Sequence, residues 1–296
     1  MMILMHFLLL ILLHSIAGFI DFENMNHQSS RGAKIVLDQN VKIGQYFEYM
    51  DSLIAGLDTM LPYPIDENAL IQHNHYVIDR LVATDYDSLR TKGQFAFDQR
   101  ELIVLHKNDT LFIPASNDIV KIMKRRAATI IDINIPEFRL RIMEDEEELY
   151  SFEIRVGKNT ERYLSTIDKT VDLKTKTGTG KIIRIEKNPN FVDPVSGNKY
   201  LLTTRDDGKQ TRMPLIPWLE PEINSQRHGQ LIHPTTNPST LGRAYSNGCI
   251  GTRESDAWRL YYYAPLGTQV HIRYDLRVRD EQGNTIEIPD IYKIMN

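Results

Sequence analysis

Cysteine occurs only once in the 296 residues, at Cys249. A single thiol excludes an internal disulfide framework, and outside the reducing cytoplasm an unpaired thiol is exposed to oxidation. Cys249 is therefore either an inert, buried small hydrophobe or a residue kept for its chemistry. Basic runs are also absent: the formal charge is -4 and no Lys/Arg cluster stands out. Nothing supplies the electrostatic stripe that a nucleic-acid partner needs, so none is expected. The chain has no internal repeat or low-complexity tract, which excludes solenoids and compositionally biased disorder. Its one close histidine pair, His73-x-His75, has no further ligands beside it in the sequence and reads as surface. No metal or other cofactor is expected.

Charge is missing from the first 20 residues, where Ile3–Leu12 is apolar except for His6. Ser15-Ile16-Ala17 then sets small residues at the -3 and -1 positions of an export cleavage site, and charge begins at Asp21. No Lys or Arg precedes the apolar run, and the run is just long enough to span a bilayer if left uncut. Two readings stay open for residues 1–18, a cleaved signal peptide or a retained membrane anchor. Both put the bulk of the chain outside the cytoplasm, in the periplasm or cell envelope.

Hydrophobic residues at 42% and charged residues at 25% are those of an ordinary globular protein. Ile43, Phe47, Met50, Ile54, Leu57 and Leu61 recur at three- and four-residue spacing, which predicts an amphipathic helix ended by Pro62 and Pro64. A second helix is predicted from Glu67 to Val82. Leu102–Leu105 and Leu111–Pro114, either side of Lys107-Asn108-Asp109, predict a strand–turn–strand piece. From Thr129 the periodicity changes to two: Ile131, Ile133 and Ile135, then Phe138, Leu140 and Ile142, then Tyr150, Phe152, Ile154 and Val156. Asp256–Tyr263 is the one helix predicted in this half. The expectation is an α+β protein: a mainly helical accessory region with a short β piece over 19–128, a mainly β domain over 129–275, and a tail over 276–296.

The chemistry concentrates between His233 and Cys249. An apolar strand end, Leu231-Ile232, delivers His233, and a loop of 15 residues rich in Gly, Pro and Asn separates it from the thiol. Such a loop can bring two strand ends together, letting an imidazole take the proton of a nucleophilic thiol. Gly248 permits a tight turn whose backbone N–H groups can face an oxyanion, and small Ser246 keeps the sulfur accessible. Trp218 and Tyr261–Tyr263 read as core or rim aromatics, and Met213–Pro217 as a cleft wall.

The segment HPTTNPSTLGRAYSNGC resembles the signature of the YkuD-type (ErfK/YbiS/YcfS/YnhG) L,D-transpeptidases, with its His, its T-N-P loop, its L-G step and its S-x-G-C end. The likeness extends more loosely from Thr129 to Tyr274, through Pro214-Leu215 and Gly267-Thr268. It implies a YkuD-like β-sandwich with Cys249 as nucleophile and His233 as general base. Ser246, Asn247 and Gly248 would form the turn, and the N–H groups of Gly248 and Cys249 the oxyanion hole. The implied reaction is peptidoglycan cross-linking: a thioester acyl-enzyme forms on a stem peptide and an amine resolves it to a 3-3 cross-link. The same Cys and His also suit an L,D-carboxypeptidase or a wall-protein attachment enzyme, and a non-catalytic wall-binding protein is a further alternative. Three departures stand out. Asn247 occupies a position often held by His, Pro234 one often held by Gly or Ser, and Cys249-Ile250-Gly251 replaces the usual C-I-R. Arg253 is the substitute cation offered by the sequence, binding the substrate carboxylate or else pairing with Glu254 or Asp256.

Overall fold

The computed structural model describes residues 33–164, 168–193, 196–280 and 282–294. The predicted export segment, 1–18, lies outside them. Among the described residues no helix is long and apolar enough to cross a membrane.

The region before residue 129 is built on helix α1 (Ile43–Met60), whose buried positions Ile43, Tyr46, Phe47, Met50, Leu53 and Leu57 follow one face. It stops where Pro62 forces its predecessor out of the helical region, and Leu61 is extended at ψ 143. The predicted single helix over 67–82 is instead two, α2 (Glu67–His73) and α3 (Tyr76–Val82). Asn74 breaks it. Its buried amide donates to the Leu70 and Phe112 carbonyls and accepts from the Phe112 N–H, each at 2.8 Å. A side chain that bonds backbone groups this well competes with helix continuation. Helices α4 (Tyr86–Thr91) and α5 (Ser116–Ala128) complete the region.

The strands at Ile103–Leu105 and Thr110–Phe112 both form, but they do not pair with each other. Ile103–Leu105 pairs with Val41–Lys42, with a register shift between Val41 and Lys42, and Thr110–Phe112 pairs with Lys34–Val36, both antiparallel. Lys107-Asn108-Asp109 forms the turn between them, with Asn108 at φ 72. The earlier segment, 34–42, is the partner that local sequence could not reveal.

From Thr129, eight strands of the described residues form one large sheet: β1 (Thr129–Asn134), β2 (Arg139–Glu144), β3 (Glu147–Glu153), β4 (Gly178–Glu186), β5 (Trp218–Ile223), β6 (Ile232–Pro234), β7 (Ile250–Thr252) and β8 (Gln269–Arg273). Their order is β7-β6-β5-β4-β8-β1-β2-β3. Pairing is antiparallel except for β6 with β7 and β8 with β1. The alternating residues Ile131, Ile133, Leu140, Ile142, Phe152 and Ile154 face one core with Ile182, Leu219, Ile232, Ile250 and Val270. The architecture is α+β, with a mainly β half following a mainly helical one.

Helix α6 (Glu254–Tyr263) joins the halves. Leu260 and Ala264 belong to the β core, whereas Ala257, Trp258, Tyr261 and Tyr262 belong to the core of α1–α3. Phe47 meets Tyr261 edge-on with ring centroids 5.5 Å apart. Buried Glu254 pairs with Arg205 and accepts from the Gln99 side chain at 2.6 Å and the Tyr86 N–H at 3.0 Å. The helical region is therefore no loose appendage: it covers the helix that leaves β7. The tail is also part of the body. Arg277–Arg279 pairs with Thr285–Glu287, and Tyr292 is buried in the β core.

Candidate active site

Parallel pairing of β6 with β7 sets Ile232 opposite Ile250 and His233 opposite Gly251. Cys249 lies one residue before that register, beside Leu231, whose carbonyl accepts from the Ile250 N–H at 2.8 Å. The histidine and the thiol predicted from sequence thus lie at the end of one strand pair. Both line a cleft of about 520 Å³, together with Arg155, Trp218, Tyr200, Tyr245, Ser246, Asn247, Met213 and Pro214. A larger hollow of about 870 Å³, between α1, α2 and the 265–269 turn, holds neither residue.

The loop between them is pinned from outside. Asp206 accepts from the Ser239 N–H at 2.7 Å, the Ser239 hydroxyl at 2.8 Å and the Asn237 amide at 3.2 Å. The Thr235 N–H donates to the Thr252 carbonyl at 2.8 Å. The Cys turn is stapled from within. Ser246 Oγ donates to the Cys249 carbonyl and accepts from the Gly248 N–H at 3.2 Å. Gly248 has φ +111, a region that side chains other than glycine's rarely allow. Its N–H is engaged within the turn. Among the described residues the Cys249 N–H has no such partner.

Beneath the turn, Thr175 donates its hydroxyl to the Gly248 carbonyl at 3.0 Å and accepts from the Gly157 N–H at 2.9 Å. Tyr292 donates its hydroxyl to the Gly157 carbonyl at 2.8 Å and accepts from the Thr175 N–H. A residue from the tail thus supports the nucleophile turn. No local feature of the sequence marks it.

His233 Nδ1 lies 2.9 Å from the Pro234 carbonyl oxygen, which can only accept. Nδ1 therefore carries the proton, and Nε2 is the basic nitrogen. Trp218 packs against the ring with centroids 5.3 Å apart, so this predicted core or rim aromatic is a wall of the cleft. Burial, and then the Arg155 charge, lowers the His233 pKa from 6.5 to about 4. Burial also raises that of Cys249, opposed by a hydrogen bond from the Leu231 backbone and by Arg155. At neutral pH both groups are uncharged, so the geometry suits a general base that takes the thiol proton during attack.

Arg253 does not line this cleft. It caps the start of α6 and lies 3.8 Å from Glu153, with its side chain 43% exposed. Arg155 does line the cleft, from a position between Ile154 and Val156 that reads as the solvent face of an ordinary strand. Lys158 and Arg162 line the cleft as well. His75 contacts Asp79 and the Tyr150 hydroxyl on the surface, and among the described residues no group of three or more His, Cys, Asp or Glu is placed to hold a metal.

Residues 128–272 match the model of the YkuD family, the L,D-transpeptidase catalytic domain. This segment belongs to the YkuD family. Its start coincides with the passage from α5 to β1, and its end precedes the tail that carries Tyr292. A putative L,D-transpeptidase YkuD from Bacillus licheniformis is 27% identical over 133 residues, covering 45% of this chain and 58% of the relative. The chain thus spans little more than half of that protein's length. Solved structures similar to the YkuD domain include an L,D-transpeptidase from Mycobacterium smegmatis, at 16% identity over 49% of this chain and 58% of that one, with a TM-score of 0.33. Another is the L,D-transpeptidase of Xylanimonas cellulosilytica, at 13% identity over 69% of this chain and 92% of that one, with a TM-score of 0.36.

Proposed function

We propose that this protein is an exported peptidoglycan L,D-transpeptidase that works through a thioester on Cys249. The observation that carries the reading is the pairing of β6 with β7, which brings His233 and Cys249 to one cleft within a YkuD-family segment. The Cys249 sulfur attacks the carbonyl of the third residue of a stem tetrapeptide while His233 Nε2 takes the thiol proton. The Cys249 N–H stabilises the oxyanion. The C–N bond breaks, the leaving amine takes the proton from His233, and the acyl group stays on sulfur. The side-chain amine of a neighbouring stem then attacks the thioester, the C–S bond breaks, and His233 passes the amine's proton to the departing sulfur, leaving a 3-3 cross-link and the free thiol. No step requires a metal or cofactor. The stem peptides of the wall are the substrate, which fits the expectation that the chain is exported.

Incubating the protein with disaccharide-tetrapeptide tests the reading. Cross-linked dimer is expected, with formation lost in Cys249→Ala. Tripeptide without dimer would make water the acceptor and the protein a carboxypeptidase. Turnover that survives in Cys249→Ala would remove the thioester route altogether.

A further inference from the structure

Arg155 lies directly opposite Gly251, bonded to it by both backbone groups at 2.9 and 3.0 Å. Gly251 also lies opposite His233 on its other side. Residues directly opposite across paired strands project to the same face. His233, Gly251 and Arg155 therefore form a row, and its central member has no side chain. Arg155 fills that vacancy. A Cβ built on Gly251 would stand 2.6 Å from Arg155 Nε and 2.7 Å from its Cγ. The absent side chain is what admits the guanidinium beside the histidine.

The guanidinium is underused by the protein. Nη1 donates to the Thr240 hydroxyl at 3.1 Å, Nε is buried with no partner, and no carboxylate of the described residues lies within ion-pairing distance. Holding a half-buried cation without a counter-ion costs stability, and a protein bears that cost where an anionic ligand repays it. Burial accordingly lowers the Arg155 pKa, and its charge acts on both Cys249 and His233. Lys158 and Arg162 extend the positive lining, and Asp193 is the one carboxylate residue in it.

Resting on the transpeptidase reading, we propose that Arg155 is the specificity residue that binds the terminal carboxylate of the acyl donor, through the gap left by Gly251. A carboxylate one residue beyond the scissile carbonyl then sits at the cation next to the nucleophile. This restricts cleavage to the last residue of the stem and disfavours donors that are amidated or extended there. The bound carboxylate also offsets the Arg155 charge, which adds to burial in lowering the His233 pKa.

The test compares single-turnover acylation of Cys249 by a disaccharide-tetrapeptide with a free terminal carboxylate and by its carboxamide, read by intact mass. A charge-assisted bidentate contact predicts a preference of kcat/KM for the acid of ~10- to 100-fold. The ratio is expected to fall close to one in Arg155→Gln, to be partly kept in Arg155→Lys, and to fall in Gly251→Ala, where Arg155 is present but displaced. An equal loss with both donors in Arg155→Gln would make the residue structural and overturn the proposal. So would a native protein acylated equally by acid and amide, although the transpeptidase reading would survive. Acylation by neither donor would overturn both.

Discussion

Replacing His233 by Gln is expected to slow acylation of Cys249 by ~10²- to 10⁴-fold, the usual contribution of a positioned general base. The substitution removes the basic nitrogen but keeps a donor for the Pro234 carbonyl, which now takes the Nδ1 proton at 2.9 Å. Donor binding is expected to change much less than the rate of acylation, because the interaction lost belongs to the transition state. The pH profile carries the same information. His233 is a base only when neutral, so with a pKa of about 4 its acid limb lies near that value, and native acylation stays flat between pH 6 and 8. Burial also links the residue to stability. Its folded pKa lies below the ordinary 6.5, so the unfolded chain binds the extra proton and the native state loses stability as pH falls from about 6.5 towards 4. A Gln variant within threefold of the native rate, or an acid limb near 6.5, would contradict the assignment.

A chain that begins at Thr129 is expected to lose cooperative folding, although it retains all but the first residue of the YkuD-family segment. Trp258, Tyr261 and Tyr262 are at most 2% exposed, and their cover is α1–α3. Burying a large side chain contributes ~1.5–3 kcal/mol, so uncovering three removes ~5–9 kcal/mol. The total stability of a domain is ~5–15 kcal/mol. Polar losses add to this. Glu254, whose pKa burial raises, would lose Gln99 and the Tyr86 N–H and be left with Arg205. Because α6 begins two residues beyond β7, a loosened helix also loosens the strand that follows Cys249. Urea unfolding of the 33–296 and 129–296 chains checks this: the shorter one should show no cooperative transition or a much lower midpoint. An unchanged midpoint would make the helical region an independent module.

These results mark where sequence was sufficient. The helix at Ile43–Met60 and the strands from Thr129 were legible because their apolar periods of about 3.6 and 2 are set by which face is buried. The site was legible because thiol, imidazole and small turn residues lie within one short segment. What escaped came from distant partners. Asn74 breaks a helix through bonds to Phe112, and 34–42 supplies the partners of the strands either side of Lys107-Asn108-Asp109. Arg155 sits in a strand that gives no hint of pairing with Gly251. Arg253 was the nearest choice in sequence, but its position at the start of α6 directs it to Glu153. Tyr292 reaches the nucleophile turn from a tail that reads as an appendage.

The central claim is that Cys249 carries the acyl group, and intact-mass measurement after donor addition tests it most directly. The account predicts a stem-sized mass increase, mapped by proteolysis to the peptide containing Cys249, absent in Cys249→Ala and discharged by an amine acceptor. A native protein that turns over its donor with no adduct on Cys249, or an adduct that persists in Cys249→Ala, would contradict it.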